Sequence, residues 1–121
     1  MSLITKKDRT AQRSHDIIQS ILDSNKTGVL DALHEDAECI NALHLPSKLN
    51  APMLCIVGGL SEFFEIIINH SGHLLDYSHL DSDCEDLQEI AFASLDKALI
   101  DLVQEAYELH AKHIINNWPE P

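Results

Sequence analysis

Sliding the chain against itself by 35 residues, without gaps, brings like residues together. Ile21-Leu22 falls on Ile56-Val57 and then on Ala91-Phe92, and Ser24 falls on Gly59 and Ser94. Val29, Phe64 and Leu99 coincide, as do Ala32, Ile67 and Leu102, and Leu33, Ile68 and Val103. A shared helical period accounts for some of the apolar matches. It does not account for His44-Leu45-Pro46-Ser47 falling on His79-Leu80-Asp81-Ser82 in a polar, irregular stretch. Units of this kind cannot bury their own apolar faces, and stacking them makes one continuous core. Units 16–50, 51–85 and 86–120 supply the roughly three copies such a stack needs. Residues 1–15 are a basic lead-in containing the start of the first helix.

The pattern within each unit is helical. Ile17, Ile18, Ile21 and Leu22 share one face of a helix from Ala11 to Asp23, with Asp8 or Thr10 as its cap. Ser24 to Gly28 reads as a break, after which Val29, Leu30, Ala32 and Leu33 form a short second face. Pro46 keeps a helix interior out of the polar stretch 34–50, whereas Pro52 suits the first turn of the next helix. Met53, Leu54, Ile56 and Val57 are that helix's apolar residues, and Gly58-Gly59 ends it. The helix from Glu62 to His70 is apolar almost all round, which predicts a place in the middle of the structure. Gly72 stands at the C′ position after it. Beyond the irregular stretch 74–84, Asp83 is expected to cap a helix through Leu87, Ile90, Ala91 and Phe92. Ser94 is expected to cap a longer one reaching about Asn117, before Pro119. The expected fold is therefore all-α: three stacked helix–turn–helix units joined by long fingers, with an irregular helical bundle as the alternative.

The central unit resembles the ankyrin repeat family. Ala51-Pro52-Met53-Leu54 is similar to the family's Thr-Pro-Leu-His opening. Phe64, Ile67 and Ile68 stand where the second helix carries Val-x-x-Leu-Leu, and Gly72 matches the glycine that follows. Ile40-Asn41 and Leu75-Asp76 look like the family's Val-Asn. The resemblance implies a solenoid whose polar stretches are projecting hairpin fingers, each about two residues longer than usual. It also implies binding of a partner protein through the fingers and the concave helix face. The pairs Ile21-Leu22, Ile56-Val57 and Ala91-Phe92 replace the family's paired alanines and are expected to spread the helices apart. Tetratricopeptide units leave no room for long irregular segments containing Pro46. Pentatricopeptide arrays bind RNA and are basic, which this chain is not.

Charge narrows the partner. Twenty acidic residues against eight basic ones give a net charge of −12. Lys6, Lys7, Arg9 and Arg13 crowd the start, and only Lys97 and Lys112 are basic from residue 49 onward. Such a chain repels phosphates and anionic membranes, so neither a nucleic acid nor a membrane is expected as a partner. Cys39, Cys55 and Cys84 are odd in number and lack metal or redox spacing, which fits a reducing, cytoplasmic compartment. Delivery by a specialised secretion system is compatible with the same residues. The eight histidines include His110 and His113 on one helix and His70 and His73 across Gly72, but form no recognised ligand motif. No metal, cofactor or catalytic residue is assigned.

The reading is a non-catalytic protein–protein interaction module, an adaptor or effector, acting as a monomer or weak homodimer. His44 and His79 occupy equivalent positions in neighbouring units and are expected side by side. The expected partner-binding residues are His44, Leu45, Ser47, Lys48, His79, Leu80, Asp81 and Asp83. The alternatives are an acidic inhibitor (an immunity-type protein or nucleic-acid mimic on a basic surface) and a small metal-dependent enzyme.

Overall fold

A computed structural model describes residues 16–116. The lead-in, the caps at Asp8 or Thr10, and Asn117 to Pro119 lie outside them. Seven helices are present among the described residues. Helix α1 covers 16–22, α2 Lys26–Glu35, α3 Ala51–Val57, α4 Ser61–Ser71, α5 Leu87–Ser94, α6 Lys97–Leu109 and α7 Ala111–Asn116. The only strands described are β1, Leu43–His44, and β2, Leu49–Asn50, paired antiparallel with Leu43 opposite Asn50. The described residues are all-α but for this short hairpin.

Four of the helices, α2, α3, α5 and α6, start on a side-chain cap. Asn25 and Asn50 accept from the backbone N–H of Gly28 (3.1 Å) and Met53 (3.0 Å), capping α2 and α3. The expected break at Ser24–Gly28 therefore ends at Asn25, and Gly28 lies inside α2. Pro52 occupies the first turn of α3, as its missing N–H favours. Asp86, not Asp83, caps α5. Its carboxylate accepts from Glu89 N at 2.8 Å while Glu89 accepts from Asp86 N at 3.3 Å, a reciprocal capping box. Asp96, not Ser94, caps α6 by accepting from Ala98 N and Leu99 N. Ser94 instead donates its hydroxyl to the Ala91 carbonyl.

The ends are equally local. The turns after α1 and α3 close with the same bond, Asn25 N to Ser20 O (2.7 Å) and Leu60 N to Cys55 O (2.8 Å). Both carry a left-handed residue, Ser24 (φ 54°) and Gly59 (φ 70°), and the α5–α6 turn carries Leu95 (φ 58°). Gly72 is not left-handed: its φ is −59°, and it opens a 3-10 turn, Gly72–Leu74. A Cβ there would lie 2.5 Å from His110 Nε2, so the residue is small because a ring packs over it. The last helix is not continuous, since His110 interrupts it and α7 follows as a separate element.

Helix α3 packs against α5, and α4 packs against α2, α3 and α6. The central position expected for α4 is the one observed, with Phe63, Phe64, Ile67 and Ile68 buried. Burial recurs along the 35-residue shift: Ile17, Pro52 and Leu87 are buried, as are Ile21, Ile56 and Ala91, and Val29, Phe64 and Leu99. The residues beside the second set behave oppositely. Leu22, Val57 and Phe92 are 51%, 62% and 48% exposed. In each pair expected to spread the helices, one residue enters the core and its neighbour, about 100° further round the helix, faces out. No described helix is long and apolar enough to cross a membrane.

Candidate interaction surface

The stretch 36–50 folds into a finger from its own side chains. Asp36 accepts from Glu38 N and starts a 3-10 turn, Ala37–Asn41. The hairpin turn is closed by Lys48 N donating to His44 O at 2.7 Å, with Lys48 left-handed at φ 60°. Ser47 Oγ donates to the same carbonyl at 3.1 Å, so its hydroxyl proton is committed. His44 Nδ1, 2.7 Å from that oxygen, is then the donor. The second finger, 75–86, has no strand. Asp81 organises its end by accepting from Asp83 N and Glu85 N, both at 2.9 Å, and Cys84 adopts φ 61°.

The two fingers are bonded to each other at three levels. Asn41 Nδ2 donates to Leu74 O at 2.9 Å, and Asn41 Oδ1 accepts from Asp76 N at 2.8 Å. His79 Nε2 donates to Lys48 O at 2.7 Å. Ser82 N donates to Ser47 O at 2.8 Å. All eight residues expected at the interaction surface lie on these adjoining fingers. His44 and His79 make different bonds. One ring closes its own turn, and the other clamps the preceding finger. Asp81 is likewise engaged in folding its loop, while Asp83 is exposed. Leu45 and Leu80, 35 residues apart, are 71% and 47% exposed.

A groove of about 550 Å³ runs between these fingers and the helices. Leu49, Val57 and Ile90 line it, with Asp81, Asp83, Glu85 and Asp96 as charged members. Asp96 and Val57 are surface residues the sequence reading missed. The available signal was Val57's alignment with Leu22 and Phe92, since three apolar residues at one repeat position mark one shared face. Among the described residues, Asp81, Asp83 and Glu85 are the one trio of potential ligands whose oxygens converge, within 4.8 Å. One Asp81 oxygen already accepts two backbone bonds.

A second cavity, of about 660 Å³, lies between the second finger and α6–α7. Tyr77 and Tyr107 meet edge to face in it at 5.1 Å. Tyr77 donates its hydroxyl to Gly72 O at 3.0 Å, and burial raises its ionisation well above the ordinary range. Burial, aided by the Asp86 charge, pushes Tyr107 up to about 12. Burial, followed by the charges of His73 and His113, holds the His110 imidazole below its usual value. Of the thiols, burial pushes Cys55 up to about 12, Cys39 is buried, and Cys84 is exposed. A protonated, buried Cys55 offers no nucleophile at neutral pH. No protein-family model, curated protein or solved structure matches this chain.

Proposed function

We propose that the chain is a non-catalytic protein–protein interaction module, built as an ankyrin-like stack of three helix pairs, that captures a partner protein on its fingers. What supports the stack is the recurrence of burial in all three units and of one turn bond in the first two, with α4 in contact with both α2 and α6. The observation that carries the function is the cross-bonded pair of fingers. Leu45 and Leu80 project at equivalent places from a frame held by Asn41, His79 and the Ser47–Ser82 bond. A frame ordered before binding spares the complex the entropy of ordering it. His44, Ser47, Lys48 and Asp83 flank the leucines as polar contacts.

The test replaces the projecting side chains and leaves the frame intact. Intact protein and a Leu45→Ser, Leu80→Ser double variant are used to capture proteins from a lysate, at low and high salt. Both leucines are exposed, so the variant keeps its helical circular dichroism. A partner retained at both salts and lost in the variant supports the reading. An unchanged set of captured proteins overturns it. Substituting His44 and His79 is less telling, because both rings hold the fingers together.

A further inference from the structure

The groove between the fingers and helices α3 and α5 combines two properties that together select one kind of occupant. Its apolar floor is formed by Leu49, Val57 and Ile90, and Val57 is 62% exposed at a helix end. Its charged members are acids, Asp83, Glu85 and Asp96 among them, and no lysine or arginine lines it. The ion pairs of Lys26 with Glu62 and of Lys97 with Asp101 lie elsewhere. Neither places a cation against the groove's carboxylates, and a cleft with apolar walls concentrates their field. A volume of about 550 Å³ admits a few side chains of a segment, not the face of a folded domain.

We infer that this groove seats a basic segment of the partner protein, with an apolar side chain on Leu49, Val57 and Ile90 and lysines or arginines against Asp83, Glu85 and Asp96. The inference rests on the reading of the chain as a protein-interaction module and adds the partner's chemistry. A small cation would leave the apolar floor unused, and a nucleic acid or anionic membrane would be repelled.

The test measures fluorescence anisotropy with the full chain and a labelled peptide of lysine, arginine and leucine. A matched peptide with serine in place of leucine reports charge alone. The expected result is binding of the first peptide, with weaker binding of the second. A groove variant, Asp83→Asn, Glu85→Gln, Asp96→Asn, keeps the acceptor oxygen that caps α6. It should weaken binding about tenfold, since each partly exposed ion pair contributes roughly two- to threefold. Val57→Ser should weaken it several-fold. The control Glu65→Gln, Glu105→Gln, Glu108→Gln removes equal charge from exposed positions on α4 and α6, outside the groove lining, and should change affinity by less than about twofold. Equal weakening by the two triple variants would assign the attraction to the whole molecule's charge and overturn the inference. Failure of the basic peptide to bind would overturn it too, while the lysate capture by Leu45 and Leu80 would still decide the module reading separately.

Discussion

Asn41 and Asp76 occupy equivalent positions 35 residues apart, yet the structure gives them unequal work. Asn41 uses both ends of its amide on the next finger, donating to Leu74 O and accepting from Asp76 N. Among the described residues Asp76 instead accepts from Ser78 N and Ser78 Oγ, two residues along its own loop. Asn41→Ala removes two bonds and leaves a carbonyl and an N–H without their partners. The Leu74 bond is part-buried and the Asp76 bond exposed, so the first loss is felt more fully. At about 1 kcal/mol for each net bond, somewhat more where water cannot replace it, the cost is about 2 kcal/mol. Asp76→Ala removes only an exposed local turn contact, at about 0.5 kcal/mol.

Urea and thermal denaturation read the difference directly. For a chain of 121 residues, 1 kcal/mol corresponds to about 4 °C in Tm, so Asn41→Ala should lower Tm by about 8 °C and Asp76→Ala by about 2 °C. It is the Asp76 backbone, not its side chain, that bonds Asn41. The double variant should therefore be additive within about 0.5 kcal/mol. Equal costs for the two substitutions, or a negligible one for Asn41→Ala, would refute the argument that the fingers are locked to each other.

Gly28→Ala should destabilise although Gly28 is helical, because a Cβ there meets Ser20 Oγ and lies 2.7 Å from the capping amide of Asn25. Overpacking of about 1–3 kcal/mol outweighs the gain of up to about 1 kcal/mol in helix propensity, and Ser20→Ala should relieve most of it, as urea midpoints of the single and double variants would show. Under native conditions at mildly alkaline pH, a thiol reagent should label Cys84 rapidly and leave Cys39 and Cys55 until the chain unfolds, so two fast thiols would contradict the burial described. His110 has a lowered value in the folded state, so its stabilising contribution is complete above the unfolded value of 6.5 and is lost as pH falls through the folded value. The urea midpoint should accordingly drop as the pH is lowered below 6.5, and His110→Gln should flatten that slope.

The helices were legible because their information is local. Period, proline position and glycine breaks place α3 and α4 within a residue or two, and continuous apolarity places α4 between its neighbours. The fingers were not legible, because what builds them is long-range. Nothing in Asn41 or His79 announces that its partner is a backbone 31 to 35 residues away. Turn chemistry misled for a related reason. Ser24, Lys48, Cys84 and Leu95 all adopt positive φ without being glycine, at a cost of roughly 1–2 kcal/mol each that surrounding bonds and packing offset. Gly72, the residue expected to need that freedom, uses its size instead. The break at His110 also lacks a signal, since Leu109, His110 and Ala111 are all compatible with a helix.

The caps separate the charge that folds this protein from the charge that does not need to. Helices α2 and α3 begin on asparagines, Asn25 and Asn50, whereas α5 and α6 begin on aspartates, Asp86 and Asp96. Asparagine and aspartate cap about equally well, and a carboxylate adds only a few tenths of a kcal/mol through the helix dipole at an exposed site. Capping therefore does not demand a negative charge at position 96, as the neutral caps of α2 and α3 illustrate within the same chain. Asp96 lines the acidic groove, and Asp86 lines the second cavity beside Tyr107. In the stack proposed here, Asp81, Asp83, Glu85 and Asp96, from the second finger and third helix pair, converge on the groove, while acids such as Glu65, Glu105 and Glu108 lie on other exposed faces. That placement is what a chain attracting a basic segment to one place requires. It also explains why amide substitutions, which keep every capping oxygen, can test the attraction without disturbing the fold.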